Sequence, residues 1–191
     1  MKSVPDRLDR PSARSSKNSH LQEVIGQAPF SESASRACLA GLWLLHNYLD
    51  QSHTLSQAIA DSNGSFWHGI MHRREPDYGN AKYWFRRVGS HPVLDRLAGE
   101  LHKRSQSDRL PDELRPHAAG SLSAAASAEK WTRRVVRAGT FDPMAFVDLC
   151  QEASRPAAGE ELRAWCRWVG WLEWQLLFDY CFQEAITPRK E

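Results

Sequence analysis

The sequence has only four cysteines among 191 residues, and no two of them form a Cys-x-x-Cys pair. That spacing is typical of zinc ribbons and thioredoxin-type redox sites, so neither is indicated. The phosphate-binding Gly-x-x-x-x-Gly-Lys-Ser/Thr loop, the dinucleotide-binding Gly-x-Gly-x-x-Gly, the Gly-x-Ser-x-Gly nucleophile motif and the EF-hand loop are also missing. The sequence therefore gives no motif-level sign of the common nucleotide-binding, α/β-hydrolase or EF-hand calcium-binding proteins.

Long apolar runs and a strong charge imbalance are absent as well. No run approaches the roughly 18 apolar residues of a membrane span, and no signal-peptide-like stretch follows the N-terminus. The formal net charge is only +2, so no overall field favours nucleic acid as a partner. We therefore expect a cytoplasmic protein that binds neither nucleic acid nor membranes. The cysteines lie in apolar, helix-like contexts and are expected to act as small core residues.

Period-two strand patterns of useful length are absent, whereas apolar residues recur at helical spacing through much of the chain. Hydrophobic residues make up 41% and charged residues 25% of the sequence, close to the values of globular domains. Residues 21–191 are therefore predicted to form one all-α domain, a bundle of about six to eight helices. Residues 1–20 are polar and basic, and they are predicted to be a disordered tail.

The apolar pattern near the start of this domain predicts two helices. In the first, which begins near Ser33, the buried face is expected from residues at three- and four-residue steps: Cys38, Leu42, Leu45 and Leu49. A short helix is predicted over residues 54–60, before the break at Asp61 to Gly64. Farther along, Asp77 or Asn80 is predicted to cap a helix that runs through Val88, with Gly89 after its end. Pro92 is predicted to lie in the first turn of the next helix.

The last long helix is predicted over residues 159–185 and is rich in tryptophan. Trp165, Trp168, Trp171 and Trp174 are three residues apart, and each step rotates by about −60°, so they spiral around the helix. A helix that is apolar on most sides is normally buried in the centre of its domain. An aromatic ligand site and a dimer surface, which would make the protein a homo-oligomer, are the alternatives.

One acid, Glu173, lies within the apolar part of this helix. Most of its neighbours at helical spacing are apolar, so its carboxylate is predicted to be buried. A buried carboxylate costs several kcal/mol unless it is paired, hydrogen-bonded or protonated. An arginine or histidine from residues 68–87, or a metal, is the expected partner. A structural ion pair and a functional, ligand-binding carboxylate both stay open.

The segment HGIMHRREPDYGNAKYWFRR, residues 68–87, mixes titratable and aromatic side chains at close range. His68 and His72 are four residues apart and project from the same side of a helix. Glu75 follows three residues later, and Asp77 lies just beyond Pro76. His68, His72 and Glu75 are therefore candidate ligands of a divalent transition metal, and the four residues together are candidate catalytic groups. The alternative is a structural role, in which the histidines bond to nearby acids and fix the turn.

Basic and aromatic side chains of the same segment are candidates for binding a small anionic ligand. Arginine presents a planar fork of donors that matches a carboxylate or phosphate, and aromatic rings can form a wall beside it. The candidate ligand-binding residues are Arg73, Asn80, Tyr83, Trp84 and Arg86, together with Glu173. A purely structural network of the same side chains is equally compatible with the sequence.

The pattern H-x3-HR-x-E-x-D-x2-N-x2-YW-x-R resembles that of a family of uncharacterised helical proteins, bacterial with some fungal members. The residues that carry it are His68, His72, Arg73, Glu75, Asp77, Asn80, Tyr83, Trp84 and Arg86. The resemblance covers residues 68–86 alone. The resemblance implies no activity. It implies only that this segment is the functional part of the proteins in that family.

Two hypotheses about function follow from these residues. The first is a small-molecule enzyme, optionally metal-dependent, with a polar pocket between residues 68–87 and the C-terminal helix. His68 or His72 would be its general base or metal ligand, and Arg73 and Arg86 would anchor the substrate. The second is a non-catalytic module that binds an anionic ligand or a protein partner. Whether the protein is an enzyme is left open by the sequence.

Overall fold

A computed structural model describes residues 31–105 and 121–187, which form eight helices and one short hairpin. In chain order these elements are α1 (Glu32–Leu45), α2 (Leu49–Gln57), α3 (Ser62–Arg74), α4 (Tyr78–Val88), α5 (Pro92–Ser105), α6 (Ser121–Val135), β1 (Val136–Arg137), β2 (Thr140–Phe141), α7 (Pro143–Ala153) and α8 (Glu160–Ile186). The predicted all-α bundle and its number of helices are confirmed. The predicted tail, residues 1–20, lies outside the described residues. Within the described ranges, every helix is too short or too polar to cross a lipid bilayer.

Local sequence signals set several helix ends. The carboxylate of Asp77 accepts a hydrogen bond from the backbone N–H of Asn80 at 3.1 Å and caps the start of α4, as short polar side chains do at helix N-termini. Gly89 follows the end of α4 with a φ of 63°, which glycine adopts without steric cost. Pro92 opens α5, where its missing N–H is not needed. These ends confirm the predicted boundaries of α4 and α5.

The buried face of α1 differs from the predicted one. Leu42 and Leu45 are 38% and 37% exposed, so the predicted apolar face is wrong at these two positions. Cys38 and Leu49 do pack against the core, but Leu49 belongs to α2. The face that packs inward consists of small residues and one leucine: Ala34, Ala37, Ala40, Gly41 and Leu44. At Gly41 the cause is the Trp67 ring of α3, which lies so close that a Cβ on this residue would stand 2.7 Å from it. A side chain at this position would therefore displace the ring.

Helix α8 packs against α1, α5 and α7. Its tryptophans spiral around the axis as predicted, so their environments differ. Trp165 is buried, Trp168 and Trp174 are half-buried, and Trp171 is 47% exposed. All four cysteines are free and belong to the core or pack against it, which confirms their expected role.

Helix α3 is the most enclosed part of the bundle. Each of its residues from Asn63 to Arg73 is buried, with α1, α2 and α4 packed around it. Polar side chains on such a helix have little contact with water and depend mainly on partners inside the protein. The polar part of the motif, from His68 to Arg73, is therefore held within the bundle.

Candidate metal centre

Three histidines converge between α2 and α3. His68 and His72 come from α3, as their four-residue spacing predicts, and the third is His53 of α2. One ligand nitrogen from each ring lies within 4.8 Å of the others. The ring centroids are separated by 4.6 Å (His53–His68), 4.8 Å (His68–His72) and 5.5 Å (His53–His72). His68 and His72 are buried and His53 is half-buried, so the cluster opens towards solvent on the α2 side.

The two buried serines of α2 explain how this helix comes close enough to α3. Ser52 and Ser56 are four residues apart and fully buried, so they form a narrow face that admits the imidazoles. The Oγ of Ser56 lies 3.0 Å from Nδ1 of His68, and its hydroxyl donates to the backbone carbonyl of His53 at 3.2 Å. Because that hydroxyl proton is used, Ser56 accepts from Nδ1–H of His68. The Nε2 atom of His68 then carries the lone pair that a metal needs.

Two acids that the sequence singled out lie beside Nδ1 of His72. Nδ1 of His72 is 3.4 Å from the carboxylate of Glu75 and 3.9 Å from that of Asp77. Glu75 stands at the C-terminal end of α3 and Asp77 at the start of α4, so both reach His72 from the solvent edge. The groups that converge on a common point are His53, His68 and His72. Glu75 is instead placed where acids that orient metal-bound histidines are found.

The surroundings of His68 and His72 favour the neutral form of both imidazoles. Burial, with His72 and His53 close by, lowers the pKa of His68 to about 3. Burial also lowers the pKa of His72, although Glu75 and Asp77 oppose the effect. Neutral imidazole is the form that coordinates metals, so no proton has to leave His68 at neutral pH before an ion can bind.

Aromatic side chains of α4 cover the cluster on its other side. The ring of Trp84 lies 4.0 Å from that of His68, tilted by 35°. Tyr83 meets Trp84 edge-on at 5.5 Å and is 47% exposed. Asn80 donates from Nδ2 to Asp77 at 2.7 Å. Arg86 is exposed on α4. The candidate ligand-binding residues of α4 therefore have different roles. Trp84 covers His68 and Asn80 supports Asp77. Tyr83 and Arg86 lie on the surface.

Glu173 is fully buried and its partner is Arg73, one of the arginines expected for it. Both carboxylate oxygens accept hydrogen bonds from the guanidinium, and the Phe146 ring lies 4.5 Å from the guanidinium carbon. The pair therefore satisfies itself within the core. Its carboxylate does not join the converging histidines, which supports the structural ion pair among the two alternatives.

His53 is the residue of this site that the sequence argument missed. The short helix was predicted over residues 54–60, which left His53 outside it, whereas α2 spans Leu49–Gln57 and contains it. The available signal was the pair of serines, Ser52 and Ser56, whose four-residue spacing marks the face of α2 that packs inward. Sequence alone could not say that this face meets His68.

Comparison with known proteins adds no relative. No protein-family model, no curated protein and no solved structure matches the chain. The resemblance of residues 68–86 to a family of helical proteins accordingly stays a prediction. What the protein does has to be argued from the geometry of its own residues.

Proposed function

We propose that the protein binds a divalent transition metal, zinc in the first place, through His53, His68 and His72, and uses it in small-molecule chemistry. The observation that carries the proposal is the convergence of three imidazoles from two helices, with their ligand atoms within 4.8 Å of one another. Three histidines with a further open position are the donor set of catalytic zinc sites. Nitrogen donors also favour zinc, copper and nickel over magnesium and calcium.

The histidine nitrogens are farther apart than in a metal-bound site and must move closer together to bind an ion. In a tetrahedral site with Zn–N distances of about 2.0–2.1 Å, two ligand nitrogens are about 3.3 Å apart. The widest separation in the cluster therefore has to shorten by up to about 1.5 Å. His53 is the half-buried member of the set, so we expect its side chain to make most of this adjustment.

The surroundings support a catalytic use of the metal. Three neutral imidazoles leave the full charge of a divalent ion in place, and such an ion lowers the pKa of bound water to near 7. The carboxylates of Glu75 and Asp77 lie within 4 Å of Nδ1 of His72, which has no hydrogen-bond partner among the described residues. A small rotation would let one of them accept from this nitrogen, orient the ring and increase its basicity as a ligand. Hydrolysis or hydration of a small substrate is the reaction class that this chemistry supplies.

A second candidate function is the non-catalytic module, with the same side chains as a structural network. The observation that favours it is that His68 is already satisfied by Ser56 and covered by Trp84. Buried histidines with such partners stabilise a core without binding a metal. The two candidates differ in one measurable property, which is stoichiometric metal binding that depends on His53.

Metal binding is tested on the full chain by calorimetry with Zn²⁺ and by the visible absorption of bound Co²⁺. We expect one equivalent of metal and the spectrum of a four-coordinate Co²⁺ site. His53→Ala should weaken binding by more than about 100-fold with little change in stability, because His53 is half-buried. The matched control is His46→Ala, which removes an exposed histidine outside the cluster. A wild-type protein that binds no metal, or His53→Ala protein that binds it equally well, would leave the structural network as the better account.

A further inference from the structure

A cleft of about 340 Å³ lies between α1, α3, α7 and α8. On α3 it is lined by Ile70, Arg73 and Arg74, which at about 100° per residue lie on the face opposite His68 and His72. None of the three clustered histidines lines it. Its volume is within the range of about 300–1,000 Å³ that is usual for small-molecule pockets. The cleft is therefore a site separate from the metal centre.

The walls of the cleft are largely apolar, with tryptophan on one side. Trp171 and Trp174 of α8 line it with their rings parallel, 1° apart in orientation and 5.2 Å between centroids. Leu44 and Ile70 lie among the other lining residues. Trp171 is 47% exposed, which leaves a large apolar surface open to water beside the cavity. Such a wall suits the apolar body of a ligand.

Three arginines line the cleft, and they differ in their partners. Arg73 is neutralised by Glu173, and Nη2 of Arg167 donates to a Glu160 carboxylate oxygen at 2.6 Å. Arg74 instead donates to two neutral oxygens, the backbone carbonyl of Leu44 at 2.5 Å and Oδ1 of Asn47 at 3.1 Å. No carboxylate in the described residues, 31–105 and 121–187, forms an ion pair with it.

The contacts of Arg74 also fix its orientation. Leu44 and Asn47 each take one hydrogen bond from the guanidinium, which has five N–H donors. Three N–H donors of Arg74 are therefore left for a further acceptor, and the two existing hydrogen bonds hold the plane of the guanidinium in place. Partial burial, together with the nearby Arg73 guanidinium, lowers the pKa of Arg74. An anion at this position would supply the missing counter-charge.

We propose that the cleft binds a carboxylic acid with an apolar body, its carboxylate on Arg74 and its body against Trp171 and Trp174. A single anionic group matches Arg74, the one arginine of the three lining the cleft that forms no ion pair with an acid of the described residues. The apolar walls exclude a compact, fully hydrated anion as the preferred ligand. The site is distinct from the metal centre, so the proposal goes beyond the metal-dependent function and does not depend on it.

The test is a titration of the full chain with octanoate, followed by calorimetry and by tryptophan fluorescence, with and without a chelator. We expect one saturable site, a fluorescence change from the tryptophan wall, and at least tenfold weaker binding of the neutral octanol and of the cationic octylamine. The affinity for octanoate should be the same in both conditions. Equal binding of octanol, or no saturable binding at millimolar octanoate, would overturn the proposal.

Two variants locate the site. Arg74→Gln should weaken octanoate binding by about tenfold to a hundredfold, the range for a charge-assisted hydrogen bond. Arg96→Gln, at an exposed arginine of α5 outside the cleft, is the matched control and should bind as the wild type does. Arg74→Gln protein with unchanged affinity would refute the assigned carboxylate position.

Gly170→Leu fills the cleft without disturbing the fold. A Cβ at Gly170 meets no atom within 4 Å, so the added side chain enters the space that the glycine lines. We expect loss of octanoate binding with an unchanged or higher melting temperature, because leucine also favours the helix. Unchanged binding by Gly170→Leu would contradict the proposal. Octanoate binding that appears only when zinc is present would show that the carboxylate binds the metal, which overturns the cleft and leaves the metal centre standing.

Discussion

The stability of the metal-free protein is expected to depend on pH through His68. Burial, with His72 and His53 close by, lowers the pKa of this imidazole from 6.5 to about 3. Unfolding returns it to water and to its ordinary pKa. Between these two values the unfolded chain binds a proton that the folded protein does not. Stability is therefore complete above about pH 6.5 and is lost as the pH falls towards 3.

The size of the loss follows from the same two values. Proton binding to His68 alone lowers the free energy of unfolding by about 2 kcal/mol between pH 8 and pH 5. This value comes from the proton-binding equilibria of the imidazole in the unfolded chain, with a pKa of 6.5, and in the folded protein, with a pKa of about 3. Because pH 5 lies well above the pKa of the folded state, this result depends almost entirely on the unfolded imidazole. A loss of about 2 kcal/mol is a substantial part of the roughly 5–15 kcal/mol that stabilises a typical domain. His72 and the buried His91 also have lowered pKa values, so they add to the loss in the same direction.

The assay is urea unfolding at pH 8 and pH 5 in the presence of a chelator, followed by tryptophan fluorescence. His68→Asn removes the titrating ring but keeps a donor for Ser56. It should be less stable than the wild type at pH 8, and its further loss between pH 8 and pH 5 should be smaller by about 2 kcal/mol. His46→Asn, at an exposed histidine, should retain the wild-type dependence. Equal pH dependence in His68→Asn and wild-type protein would refute the assignment to His68.

Three other variants have calculable consequences. Arg73→Met leaves Glu173 buried without a partner and should cost about 3–5 kcal/mol in urea unfolding; the double variant Arg73→Met/Glu173→Leu should recover most of it, and a double variant no better than the single one would contradict this. Gly41→Ala should destabilise by about 1–3 kcal/mol, since its Cβ would meet the Trp67 ring; a higher melting temperature would show that the ring moves at little cost. Glu75→Gln should lower zinc affinity by about tenfold in calorimetry, and unchanged affinity would mean that this acid does not support the metal centre.

The features that the sequence predicted well depend on local rules. Asp77 as the cap of α4 and Pro92 as the start of α5 follow from the backbone chemistry of helix ends, which a neighbouring element seldom overrides. The burial of Glu173 follows from counting its neighbours at helical spacing. Its arginine partner follows from the energy of an unpaired buried carboxylate, which restricts the choice to a few residue types. In each case the interaction that determines the structure lies within a few residues of the chain, or only a few types of side chain can provide it.

The features that it predicted poorly depend on which helices meet. The three- and four-residue spacing of Cys38, Leu42, Leu45 and Leu49 predicts an apolar face that includes the exposed Leu42 and Leu45. The face that packs inward contains Gly41, where the Trp67 ring of a different helix leaves no space for a side chain. His53 shows the same dependence, since only the approach of α2 to α3 makes it part of a site. Residue types alone cannot predict which face of α1 or α2 is buried, because that depends on the shape of the helix that packs against it.

The geometry of α3 also divides a motif that is continuous in the sequence. Adjacent residues on a helix point about 100° apart, so His72 and Arg73 enter different parts of the interior. His68 and His72 face α2 and the histidine cluster, whereas Arg73 and Arg74 face the cleft beside α8. The histidines and the arginines therefore cannot be assigned to one substrate simply because they are neighbours in sequence. A metal-bound reactive group and an anchor for a carboxylate would act on the same molecule only if it extended around α3. The enclosure of that helix by α1, α2 and α4 opposes this, so the two sites are best assigned separate ligands.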